Sequence, residues 1–507
     1  MSTEKKNYLL PIMVMFALFF MIAFVTNFAG SMGVIVQNQF GATPAMAQLG
    51  TFANFIAYAC MGIPAGVILR RKGYKFTSLL AVTIGFIGVG IQFLSGYAES
   101  FPVYIAGAFV AGFSMCLLNI VVNPMLNTLG GGGNKGNQLI QLGGSLNSIG
   151  GTIAPILLGY LIGSQVENAS VRDAAPAMII AMAIFALAFV IITLTKIPEP
   201  HMESAEEKAA RKVGKIAKDK YGPMSFRHFV LGAVAIFFYV GIEVGIPNIA
   251  NLYMTTPTIE QAEITLANYE AQQAAKTVVV EVEAVAVVEE VATPEEPAVV
   301  EAVDLVAENT EVAEEEVEVE EITVKAYEKA QAVVAGETKA GRGMSAETAG
   351  FLVGMYWFLM MCGRLLGGII GGKVSSKVML TTVSALAMIL VATFIYTPQN
   401  STFVMPIVGY EVPTGVAILF LCGLCTSVMW GGIFNLAAEG LGKYTAAASG
   451  IFMAMVCGGG VITILQGLLV DYTSYIGSYW LIFACLAFLL FYALIGSKNV
   501  NKDIKVD

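Results

Sequence analysis

A chain of 507 residues is long enough for several water-soluble domains, yet 56% of it is hydrophobic, 13% is charged and its mean hydropathy is +0.73. That balance excludes an ordinary soluble globular protein and leaves a membrane protein. The formal net charge of −9 does not describe the whole chain, because one internal segment accounts for it.

The first apolar run, about 9–34, is too long for a removable signal segment and has no small-residue cleavage site, so it is read as a retained span. Further runs lie near 46–69, 76–96, 102–128, 138–163 and 174–195, then near 227–252, 348–371, 378–397, 413–436, 446–469 and 475–496. Each is long enough to cross a bilayer as a helix. The fold class is therefore an all-α polytopic membrane protein with twelve transmembrane helices. Lys and Arg gather at one end of these spans, in Arg70, Arg71, Lys72, Lys75, the cluster from Lys208 to Lys220, Lys373, Lys377 and Lys443. Positive loops stay cytoplasmic, so both termini are expected inside.

Between the fourth and fifth spans stands NPMLNTLGGGGNKGNQ, residues 123–138. A phosphate-binding loop needs Lys followed by Ser or Thr, after a buried strand. Here Lys135 is followed by Gly136 and spans flank the loop. The glycines at 130–133 are read as a tight cytoplasmic turn.

The stretch 254–345 interrupts the pattern with a Val/Ala/Glu repeat. It carries 21 of the 37 acidic residues and five of the 28 basic ones, so the rest of the chain is net positive. Low complexity and dense like charge argue for disorder or a loose solvated helix outside the membrane, not a packed domain. It has no alternating aspartate spacing for calcium.

The order of segments gives an N-terminal six-helix bundle (1–195), a basic cytoplasmic linker (196–226), helix 7 (227–253), the acidic insert (254–345), helices 8–12 (346–497) and a cytoplasmic tail (498–507). Local echoes suggest two six-helix pseudo-repeats. GIPAGVILRRKGYK closes the second span as GRLLGGIIGGKVSSK closes the eighth, and LNTLGGGGNKGNQ is matched by NLAAEGLGKYT. Paired halves are how secondary transporters place a site near the bilayer midplane.

Polar groups inside spans are costly and so mark candidate sites. The amides are Asn27, Asn119, Asn123, Gln141, Asn147, Asn248 and Asn435, with Gln138 and Asn251 nearer span ends. Amides donate and accept, as the hydroxyls of a neutral sugar require. The alternative for each is a bond between helices. No midspan position is read as basic, which disfavours an anionic substrate. Glu243, in FYVGIEVGIP, is the one acid deep in a span. It either carries a coupling proton or cation or is a buried acid bonded to a neighbouring helix. Trp430 has a face on which a pyranose can stack, and Trp357 with Tyr356 is a second candidate; packing is the alternative for both. Arg364 and Glu439, near cytoplasmic ends, are read as gating latches between the halves. The CGLC at 422–425 is read as small-residue packing. Only two histidines, His201 and His228, are present, too few for a relay or a metal cluster. No enzyme activity, cofactor, metal or nucleic-acid partner is expected.

Taken in order, IPAGVILRRKGYK, NPMLNTLG, LNSIGGTIAP, FFYVGIEVGI, CGRLLG and IFNLAAEGLGKYTAAASGIF resemble the major facilitator superfamily, and within it the bacterial fucose and glucose/galactose permeases. The resemblance covers nearly all twelve spans and lapses over the acidic insert. It implies a monomeric carrier in the bacterial inner membrane that imports a hexose or deoxyhexose by alternating access, usually with a proton. Another polar solute on the same scaffold is the alternative. Fucose-carrying relatives have an Asp in span one and a Glu in span four, at positions near Gly30 and Asn119 here. Neither is acidic in this chain, which leaves proton coupling, sodium coupling and facilitated uptake open.

Overall fold

The computed structural model describes residues 8–130, 133–163, 169–199, 221–291, 324–370, 374–406, 408–501 and 504. Among them, eleven helical stretches are long and apolar enough to cross a membrane. They run Leu9–Gln39, Leu49–Ala98, Phe101–Leu129, Gln138–Ile162, Ala175–Leu194, Arg227–Thr255, Ala346–Ile370, Ser376–Tyr396, Thr414–Ala438, Ala447–Tyr472 and Tyr479–Gly496. The second has 50 residues, about 75 Å of helix, and a single crossing needs roughly 30 Å. It therefore holds spans 2 and 3, separated at Gly73, whose φ of 87° and ψ of 174° break the helix. Counted so, the spans are twelve, and the fold is the twelve-helix arrangement expected.

The break at Gly73 is built locally. A left-handed φ suits glycine, and a Cβ there would run into the Glu199 carboxylate. That carboxylate accepts from the backbone N–H of Tyr74 and, at 2.9 Å, of Lys75. It thus satisfies amides that the interruption leaves free. Lys75 Nζ returns to the end of span 6, donating to the carbonyls of Thr193 at 2.6 Å and Thr195 at 3.1 Å. Lys443, Lys373 and the 208–220 cluster contribute positive charge in the sequence, but their side chains lie outside the described residues, as do the two middle glycines of the 130–133 turn.

Among the described residues, helix backbones of the two halves approach closely at two pairs of spans. Span 5 packs on span 8, with Gly159 and Gly350 in mutual close approach. Span 2 packs on span 11: a Cβ on Gly62 would stand 2.6 Å from Ala454 N, and one on Gly460 2.8 Å from Phe52 Cα. Small residues let helix backbones approach where lipid gives no hydrophobic drive.

Pro257–Ala340 forms a separate unit. It contains the helices Ile259–Val291 and Val324–Val334. The first starts with a reciprocal cap, Thr258 Oγ1 accepting from Gln261 N while Gln261 Oε1 accepts from Thr258 N. The helices run antiparallel, with Tyr269 stacked on Tyr327 at 4.4 Å and Ala262 grouped with Ala330 and Val333. The described part of the insert is thus helical with a small apolar contact. Residues 292–323, which hold much of the acidic repeat, lie outside the described residues. Where the chain returns to the bundle, Arg342 N, Gly343 N and Met344 N donate to the carbonyls of Tyr253, Thr256 and Met254 at 2.7–2.9 Å. The two strands of chain are thereby joined at a neck.

Candidate functional site

At the centre of the bundle, Glu243 Oε1 of span 7 lies 3.2 Å from Arg364 Nη2 of span 8, with side-chain exposures of 14% and 11%. Arg364 Nη1 donates to Gly144 O at 2.6 Å, Ser148 Oγ at 2.9 Å and Asn147 Oδ1 at 3.2 Å, all on span 5. One guanidinium thus ties the two halves together. Its planar fork allows this, where an ammonium would act as a point charge. Asn147 also donates to the carbonyl of Phe19 on span 1, at 2.9 Å.

This geometry corrects the expectation that no midspan position is basic. Residue counting gives depth along each helix but not tilt or side-chain reach, so Arg364 counts toward an inner end while its guanidinium meets Glu243. The argument against an anionic substrate survives in another form. The arginine's charge is already matched by Glu243, and its Nη1 is shared among three span-5 oxygens.

Aromatic groups surround the pair. Tyr356 Oη donates to the Glu243 carbonyl at 3.1 Å and lies 3.3 Å from Thr426 Oγ1 on span 10. The neighbouring Trp357 stands edge-on to it, with ring centroids 5.5 Å apart. A Cβ on Gly151 of span 5 would meet both Trp357 Cδ2 at 3.0 Å and Asn27 Nδ2 at 3.1 Å, so these two side chains converge there. Asn27 itself donates to Ala23 O within span 1, at 2.9 Å. Trp430, half-buried, faces Tyr239 at 6.1 Å, one helical turn before Glu243. Asn27, Asn147, Glu243, Arg364 and Trp357 therefore form one cluster, with Trp430 bordering it through Tyr239.

The remaining candidates are dispersed. On span 4, Asn119 Nδ2 donates to Tyr58 Oη at 3.0 Å, and Asn123 Nδ2 donates to Asn119 O at 3.0 Å. Gln141 of span 5 faces Gly431 of span 10, where a Cβ would stand 3.6 Å from its Nε2. Asn248 lies farther along span 7 and donates to Gln48 Oε1 at 3.2 Å and Thr51 Oγ1 at 3.3 Å. Asn435 is exposed and donates to Ser376 Oγ at 3.4 Å, at the start of span 9. The carbonyl of Glu439 lies 2.8 Å from His228 Nε2, a contact between spans 10 and 7 of the same half.

Sequence reading passed over Tyr58, Tyr239, Thr426 and Gln48. Hydroxyl aromatics in apolar runs read as packing. One signal was present: Tyr239 and Glu243 are four apart and so share a helix face. The CGLC cysteines are buried free thiols, and Gly423 between them packs on the Tyr356 backbone. Among the described residues, no cluster of three His, Cys, Asp or Glu could hold a metal ion.

The chain matches the family model described as Major Facilitator Superfamily over residues 14–277. It is similar to a protein named glucose/galactose transporter from Brucella abortus biovar 1 (strain 9-941), 23% identical over 98% of this chain and 97% of that one. It is 24% identical to the L-fucose-proton symporter of Escherichia coli (strain K12), over 47% of this chain and 58% of the relative. In fold it resembles the crystal structure of a transporter, FucP, in the outward conformation, with TM-score 0.57 and 17% identity, covering 97% of this chain and 100% of that one.

Proposed function

The chain belongs to the Major Facilitator Superfamily, and from that premise we propose that it carries a neutral hexose or deoxyhexose across a bacterial inner membrane by alternating access. It is a membrane transporter and not an enzyme. The observation that carries the substrate reading is the central cluster: a charge-balanced Glu243–Arg364 pair bordered by Asn27, Asn147 and Trp357. Such a site offers hydrogen-bond donors, acceptors and a ring face without net charge, which suits a polyol. The names of the relatives, a glucose/galactose transporter and an L-fucose-proton symporter, support the same class. Asn119, Asn123, Gln141 and Trp430 are assigned to the substrate path on either side, Asn248 to its outer end, and Asn435 and Glu439 to the inner mouth.

Coupling is assigned to Glu243. A buried ion pair is rarely worth its desolvation as a stability device, so its presence between helices that must move favours a working role. A proton fits better than sodium. Protonation neutralises Glu243 and leaves Arg364 held by span 5 alone, whereas a sodium ion would share the carboxylate with a guanidinium 3.2 Å away. The termini are assigned to the cytoplasm and the insert to the outer side, from the positive loops.

Uptake of labelled glucose, galactose and fucose into proteoliposomes tests the substrate class. At least one should enter by a saturable route that unlabelled hexose blocks. Failure of all three to enter or compete would refute it.

A further inference from the structure

Away from the central cluster, at the bundle end opposite the termini, the halves are joined by a second polar contact made only of neutral groups. Asn248 of span 7 donates to Gln48 Oε1 and Thr51 Oγ1 at the start of span 2. Nearby, Thr256 Oγ1 at the end of span 7 donates to Leu252 O at 2.8 Å and lies 2.8 Å from Tyr475 Oη and 3.5 Å from Gln37 Oε1 of span 1. Gln48, Thr51, Gln37 and Thr256 are all at most 3% exposed, and Asn248 is 7% exposed. A Cβ on Gly30 would stand 2.6 Å from Asn248 Oδ1, so span 1 closes tightly over the amide.

Two features do not suit a purely structural seal. The Gln48 amide Nε2 is buried with no hydrogen-bond partner among the described residues, although a buried orphan donor typically costs about 1–3 kcal/mol. The two Asn248 bonds that cross the seam are also long, at 3.2 and 3.3 Å. A seal selected for tightness would use apolar packing or shorter bonds.

We propose that this seam is a second, outer binding site for the same neutral polyhydroxylated solute. With the halves parted at this end, Gln48 and Thr51 on one wall and Asn248 on the other face the vestibule. Together they offer amide donors, amide acceptors and a hydroxyl, the complement of a vicinal diol. Closing the halves replaces solute–amide bonds with Asn248–Gln48 and Asn248–Thr51 bonds and leaves the Gln48 N–H unpaired. The solute is thereby handed inward along span 7 to Glu243, five residues and about 7.5 Å of helix away. The inference rests on the hexose reading and adds a site to it.

The test is the half-saturation concentration for whichever of glucose, galactose and fucose the parent carries, measured separately from the outer and inner faces in oriented proteoliposomes. Gln48→Leu, which removes the amide and keeps much of the bulk, should raise the outer-face value about tenfold relative to the inner-face value, the size expected for one lost solute bond. Thr51→Val, a milder change less able to disturb folding, should shift the same ratio about threefold. Equal changes at both faces, or an unchanged ratio in both variants, would overturn the outer site while leaving hexose transport standing. A parent that carries none of the three sugars would overturn the hexose reading itself, and this site's ligand with it.

Discussion

At the scale of single residues, Glu243 and Arg364 behave unequally when parted. A carboxylate left without its partner can shed its charge by taking a proton, but a guanidinium cannot. Glu243→Gln should therefore destabilise the protein more than Arg364→Gln, by up to about 3 kcal/mol, the low end for breaking a buried pair because three span-5 oxygens still hold the arginine. The double replacement should recover most of that loss. Thermal unfolding of the purified variants, followed by loss of monodisperse protein, measures this. Equal stability of all three would show that the pair is too hydrated to matter. Glu243 was legible in the sequence because an acid in an apolar run stands out. Its partner was not, since contact between spans 7 and 8 depends on tilt and rotamer, which no linear pattern records.

At the scale of elements, the junction of spans 2 and 3 is the most closely specified local feature. The basic run Arg70, Arg71, Lys72 marks a loop in the sequence, yet the chain stays helical on both sides and breaks at one residue, Gly73. Glu199, from beyond span 6, completes the junction by accepting from Tyr74 N and Lys75 N. Gly73→Ala should cost about 1–3 kcal/mol from the positive φ alone, with more from the collision with Glu199. Glu199→Ala should cost about 1 kcal/mol, as the loss of a helix cap does. Denaturant or thermal midpoints for the two variants check the order, and a Gly73→Ala protein as stable as the parent would show that the junction relaxes freely. Twelve spans could be read because hydropathy along each exceeds twenty or so residues. The Gly73–Glu199 contact could not be, because it joins chain segments more than 120 residues apart.

At the scale of the whole molecule, the insert and the bundle make separate demands. Backbone bonds from Arg342, Gly343 and Met344 to Tyr253, Thr256 and Met254 close a neck between the two points where the chain leaves and re-enters the bundle. Replacing about 258–340 with a short Gly/Ser linker should accordingly leave hexose uptake within about twofold of the parent, since a closed neck tolerates a change of loop. Loss of uptake in a normally inserted deletion variant would show that the insert serves the transport cycle. Composition identified this segment as separate, but its helical pairing through Tyr269 and Tyr327 was hidden by the surrounding repeat.

The central claim is that Glu243 and Arg364 couple a cation gradient to sugar movement between the two halves. Accumulation of labelled hexose in proteoliposomes under an imposed pH gradient is compared with hexose exchange at equal pH, in the parent and in the double variant Glu243→Gln, Arg364→Gln. The parent should concentrate sugar when the outside is acidic, and the double variant should lose at least 90% of this accumulation (about tenfold) while exchange persists. A double variant that concentrates sugar as well as the parent would contradict it.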